Sequence, residues 1–119
     1  MAKAQASQII TEVRAALNDP NAVRWTNSAL FNYLYAAEQF TAGNHPETQH
    51  ADKVENPLPV LLTQLTDYTT ISVEHYFALV HFVCYRAYLE DSDDAGNQKL
   101  AMNHLQLYKD SLGDVAVGR

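Results

Sequence analysis

The chain has 119 residues, 47% of them hydrophobic, and carries 14 acidic against 8 basic side chains for a formal net charge of −6. That is one domain's worth of polypeptide with enough apolar residues for a core. Divided after residue 60, the first part holds four basic and six acidic residues and the rest four and eight, so no segment is basic enough to grip phosphates by counterion release.

An acidic surface repels a duplex and suits DNA that slides past without specific binding. The single cysteine, Cys84, lies in an apolar run and has no internal partner for a disulfide, which points to a reducing compartment. The opening MAKAQASQII lacks the apolar stretch of a secretory signal, and no run reaches the roughly 18 apolar residues of a membrane span. A cytoplasmic chain with no membrane partner is expected.

The periodicity predicts an all-α fold, a small bundle of about four helices in two hairpin pairs, forming a single domain over 1–119. In the first helix, about 5–17, Ala6, Ile10, Val13 and Leu17 make one apolar stripe, and Asn18-Asp19-Pro20-Asn21 ends it. The second, about 26–42, starts at Thr26 as N-cap, with Trp25 placed to pack on Leu30 as a hydrophobic staple. Leu30, Leu34, Ala37 and Thr41 mark its inner face, and Gly43-Asn44-His45-Pro46 reads as a stop.

Residues 45–71 form a long connection in which Pro46, Pro57 and Pro59 break any helix; Val60 to Leu65 allows one helical turn or short strand. The third helix, about 72–91, takes Ser72 as N-cap, repeats the staple spacing with Ile71 and Tyr76, and is apolar nearly all round from Tyr76 to Tyr85. The fourth, about 94–112, places Ala101, Leu105, Tyr108 and Leu112 on one face and ends at Gly113. The tail 113–119 alternates around Val115 and Val117, which suits an extended arm that orders only against a partner.

Residues that could carry chemistry give weak patterns. Counting Asp91 as position 1 of a calcium loop puts Asp93 at 3 and Gly96 at 6, but Ala95 and Met102 occupy positions that need ligands. The aspartates fit better as caps of the fourth helix. The five histidines, at 45, 50, 75, 81 and 104, make no metal-binding spacing, and His81 fits a hydrogen-bonded residue beside the core. Cys84, between Val83 and Tyr85, lacks the electropositive setting of a nucleophile, and the four scattered glycines form no phosphate loop. No catalytic residue, cofactor or metal ligand is expected. Seven tyrosines exceed what one small core can hold, so some, Tyr88 among them, are candidates for a subunit interface.

Two stretches carry a resemblance. Ile9-Ile10, Val13-Arg14, Leu17-Asn18-Asp19, Arg24-Trp25-Thr26, Leu30 and Tyr33-Leu34 form the first. Tyr85-Arg86-Ala87-Tyr88, Asp91, Asp94-Ala95-Gly96-Asn97, Ala101, His104 and Leu112-Gly113 form the second. Together they cover about half the chain, and their order is similar to that in the head-to-tail adaptor (connector) proteins of tailed bacteriophages. Those proteins usually carry a longer, strand-containing insertion between the two pairs, here shortened to 45–71.

The resemblance implies a structural virion protein, assembled in the host cytoplasm. It would be monomeric when free and a dodecameric ring beneath the portal, joining capsid to tail and extending the DNA channel. Its partners would be the portal protein and the tail or nozzle proteins. Arg24, Trp25 and Arg86 are then the expected structural anchors, the arginines held by carboxylates or helix carbonyls, and Tyr88, Val115, Val117 and Arg119 the candidate interface residues. Two other classes compete: a small helical adaptor or regulatory module of a bacterial cell, and an enzyme with an unrecognised site.

Overall fold

The computed structural model describes residues 3–19, 21, 24–45, 48–49, 59–90 and 95–117, with only the backbone of Ala95 and of 113–117. Among them are four helices and a two-stranded sheet: β1 (Lys3–Gln5), α1 (Ala6–Leu17), α2 (Asn27–Asn44), β2 (Tyr68–Ser72), α3 (Tyr76–Glu90) and α4 (Ala95–Val117). The fold is a small helical bundle, as the periodicity predicts.

The apolar α3 is its centre. Ala78, Leu79, Phe82, Val83, Cys84 and Ala87 are all buried, because α1 and α2 pack on it and α4 runs back along it. The first two helices thus meet through a shared partner and at their junction. A helix apolar on every side can satisfy three neighbours at once.

Local chemistry sets the ends. Asn18 takes the left-handed conformation (φ 56°, ψ 44°) that asparagine tolerates, and the Asp19 N–H donates to the Arg14 carbonyl at 2.9 Å to close α1. Thr26 caps α2 as expected, its hydroxyl accepting the Ala29 N–H at 3.1 Å. The stop expected at Gly43 falls slightly later. The helix includes Asn44, whose side-chain amide donates to the Phe40 carbonyl at 2.9 Å, and the His45 N–H still donates to the Thr41 carbonyl at 2.7 Å.

Three expectations need correction. The connection holds a strand at Tyr68–Ser72 rather than at Val60 to Leu65, antiparallel to β1, with Lys3 opposite Ser72 and Gln5 opposite Tyr68. Thr69, Thr70 and Ile71 are β-branched, and three of the strand's four inner positions are filled by them. Ser72 therefore ends a strand and makes no side-chain cap; a 3₁₀ turn at Val73–His75 intervenes and α3 starts at Tyr76.

Finally, α4 does not stop at Gly113 but runs on to Val117, so 115 and 117 are helical and not an extended arm. Glycine inside a helix costs only about 1 kcal/mol relative to alanine, and Asp114-Val115-Ala116-Val117 contains no proline to forbid the next turn. Two positions apart on a helix means roughly 200° about its axis, unlike the shared side of a strand. Arg119 lies outside the described residues.

Trp25 ties the first half to the second. It is 5% exposed, its Nε1–H donates to the Ala87 carbonyl at 3.3 Å, and its ring meets Tyr88 edge-on at 6.0 Å. Truncation leaves a cavity and removes the indole's bond to the Ala87 carbonyl. Trp25→Ala should lower unfolding free energy by about 3–5 kcal/mol, read as a shifted midpoint with an unchanged slope in urea melts. A loss below about 0.5 kcal/mol, ordinary for a surface position, would contradict this packing.

Candidate functional site

The densest polar constellation lies where α1 hands over to α2. Arg14 sits at a core position of α1, one turn after Ile10, and is 8% exposed; Asp19 is 5% exposed. Arg14 Nη1 donates to the Asp19 carbonyl at 3.2 Å and the Trp25 carbonyl at 3.0 Å and lies 3.4 Å from Asp19 Oδ2, while Nη2 donates to Asn27 Oδ1 at 2.6 Å. Asp19 Oδ2 in turn accepts the Arg24 N–H at 3.2 Å and the Trp25 N–H at 3.0 Å. A guanidinium offers five N–H donors in a fixed fork, so one side chain can fix several chain segments together.

The expected anchors surround this joint. Arg24 is held with its guanidinium 4.6 Å from the centre of the Trp25 ring, a cation–π contact that was not anticipated. Arg86 Nη2 lies 3.9 Å from Glu90 Oε2, one turn on, and its buried Nε has no hydrogen-bond partner among the described residues. Arg24, Trp25, Thr26, Ala29, Tyr33 and Glu90 line an open cleft of about 390 Å³ beside it. Tyr88, expected at an interface, is buried instead, its ring against Trp25 on one side and stacked on His104 at 5.8 Å.

Other titratable groups meet between elements. His81 on α3 and His104 on α4 bring their Nδ1 atoms to 3.2 Å, one carrying the proton that the other accepts. Their separation in sequence, 23 residues, hid this pairing. Burial lowers the basicity of both, and each neutral ring is what the helix contact holds. Cys84 is fully buried, and burial pushes its thiol up to about 12, so it is a packed hydrophobe. Among the described residues no three His, Cys, Asp or Glu side chains converge on one point, and no helix is long and apolar enough to cross a membrane. Asp91, Asp93 and Asp94, read as helix caps, lie outside the described residues.

Glu38 was missed altogether. It is 1% exposed on α2, with Oε1 accepting the Thr70 N–H at 3.2 Å. The available signal for both Glu38 and Arg14 is a charged residue one turn after an apolar core position, Leu34 and Ile10 respectively. Thr41, next on the same face, hydrogen-bonds Tyr108 of α4 at 2.8 Å.

No known protein family, curated protein or solved structure matches the chain. Its chemistry has to be read from this geometry, in which the best-organised polar groups bind backbone and one another. They hold elements in place.

Two measurements follow from the joint and the histidine pair. Removing one member of a buried ion pair strands the other, so Arg14→Ala should cost about 3–5 kcal/mol in urea melts; a loss under about 0.5 kcal/mol would contradict the joint. For the histidines the folded values lie below the ordinary one of 6.5, so the native state binds fewer protons than the unfolded chain. Their contribution is complete above pH 6.5 and is lost as pH falls through the folded values. Stability below that pH should fall more steeply in the unmodified protein than in His104→Gln, and equal slopes would contradict the pairing.

Proposed function

We propose that this chain is a structural, non-enzymatic adaptor of the head-to-tail connector kind, a subunit of a homo-oligomeric ring, dodecameric in the virion, beneath a phage portal. The observation that supports this best is where the two resembling stretches lie. Arg14, Asp19, Arg24 and Trp25 from the first meet Ala87 and Tyr88 from the second in one interlock, by the Trp25 bond to the Ala87 carbonyl and its edge contact with Tyr88. Residues that resemble one family at two distant places in the chain are thus one structural device, the one that fixes how the helices cross.

Two further features suit the role. The net charge of −6 fits a wall past which DNA slides without specific binding. Phe40, 49% exposed, extends an aromatic cluster with Phe82 and Tyr108 out to the surface, with ring centres 5.4 and 6.0 Å away. Half-exposed aromatics of this kind gain by being covered by a neighbouring subunit. The partners on this reading are the portal on one side and tail or nozzle proteins on the other, with assembly in the host cytoplasm.

The test is reconstitution. Purified chain mixed with a cognate portal protein should bind as a ring of twelve, visible by electron microscopy and by light scattering of the complex. Alone, it should elute as a monomer. Failure to bind the portal at any concentration, together with capture of a bacterial regulatory partner, would favour the adaptor module of a cell instead.

A further inference from the structure

We propose that Glu38 is a proton-operated latch on the sheet: the protonated carboxyl keeps β2 seated on α2, and ionisation shifts β2, with the β1 strand paired to it, towards a detached state. The proposal is independent of the connector reading.

A buried carboxylate is tolerated when two or three donors or a cation compensate it. Glu38 has one donor. Its Oε1 accepts the Thr70 N–H at 3.2 Å, while Oε2 is buried and has no hydrogen-bond partner among the described residues. Among the described residues no cation is paired with it. Lys3 on β1, Tyr68 on β2, His81 and Arg86 on α3 and His104 and Lys109 on α4 are titratable groups of the nearest elements, and among the described residues none of them forms an ion pair with Glu38. Burial alone raises it, to about 7, and the Thr70 N–H alone opposes that. A protonated acid keeps this site neutral, and an ionised one is stable there only if it reaches water.

The geometry says which side gives way. α2 packs on the central α3, whereas β2 belongs to a two-stranded sheet whose further ties are the bridge between Gln49 and Ile71 and the Gln49 side-chain amide, which donates to the Thr70 hydroxyl at 3.3 Å. An ionised carboxyl therefore gains water most readily by parting from the strand that covers it. Lifting β2 cannot leave the start of the chain in place. The Thr69 hydroxyl donates to the Ala4 carbonyl at 3.0 Å, the Ala6 N–H donates to the Asp67 carbonyl at 2.8 Å, and the Ser7 N–H donates to the Leu65 carbonyl at 2.9 Å. The first turn of α1 is thus capped by the approach to β2, and the two come away together.

The sign is fixed by the direction of the shift. Glu38 binds its proton more tightly folded than unfolded, so the latch is complete below the ordinary value of 4.5 and weakens as pH rises to about 7. Amide hydrogen exchange on the full chain, corrected for intrinsic chemistry, reads this at Ala6, Ser7, Thr70 and Ile71. Between about pH 5 and 7 the opening constant should rise by up to about tenfold per pH unit and then level off, while amides in the middle of α3 show no such rise. In Glu38→Gln, which keeps an acceptor for Thr70, the rise should disappear. The side-chain carboxyl carbon of Glu38, followed by NMR in the unmodified protein, should titrate near neutrality; this arm does not depend on the variant folding. A carboxyl that titrates in the usual glutamate range overturns the proposal. So does a sheet whose opening follows the same pH course as α3, or a rise that persists in Glu38→Gln.

Discussion

A guanidinium removed from water must find its hydrogen bonds inside the protein, and Arg14 finds them on both sides of a chain reversal. Its fork spans the Asp19 carbonyl, the Trp25 carbonyl and Asn27, so the end of α1 and the start of α2 are held to the same atom group. Asp19 completes the circuit by accepting the N–H groups of Arg24 and Trp25. With those backbone atoms fixed, the Trp25 indole lies on the last turns of α3, where its Nε1–H donates to the Ala87 carbonyl. A pair of apolar residues could fill this space at similar or better stability. It would not define the angle at which the second helix leaves the first.

How much of this is visible in the residues alone depends on the range of the interaction. Short-range rules work well: Thr26 caps, Trp25 is buried, Asn18 ends α1, and the apolar Tyr76–Tyr85 run is the centre of the bundle. Rules that compare local preferences do less well. Ser72 has the chemistry of a cap, but the β-branched residues before it are committed to a ladder with Lys3–Gln5, so the chain is still extended when it reaches Ser72. Gly113 has the chemistry of a stop, but a stop needs the chain to turn afterwards, and it continues as helix. Pairings across the chain, His81 with His104 or Thr41 with Tyr108, have no local signature at all.

The polar groups inside this protein are distributed in a consistent way. Several lie between two elements rather than within one: Arg14 between α1 and α2, His81 and His104 between α3 and α4, Glu38 between α2 and β2. Apolar packing is tolerant of sliding and rotation, whereas a hydrogen bond in a dry place is satisfied over a narrow range of positions. The helices supply burial, and these few contacts select one arrangement among those that burial would permit. Charged residues at core registers are therefore where the arrangement is specified, and they are the positions at which a hydrophobic substitution would most change how the helices cross.

The pairing of β1 with β2 also bears on the order in which the chain folds. Its partners are separated by 63 residues at one end (68 − 5) and 69 at the other (72 − 3), whereas α3 and α4 are joined by the short link 91–94. Closing a loop some sixteen times longer is four doublings, or about 2 kcal/mol of extra chain entropy. The α3–α4 hairpin can therefore form early, and the sheet closes late. During synthesis the consequence is sharper, since α1 and α2 leave the ribosome first but share α3 as their partner. Their apolar faces must wait, uncovered, until the second half of the chain has been made.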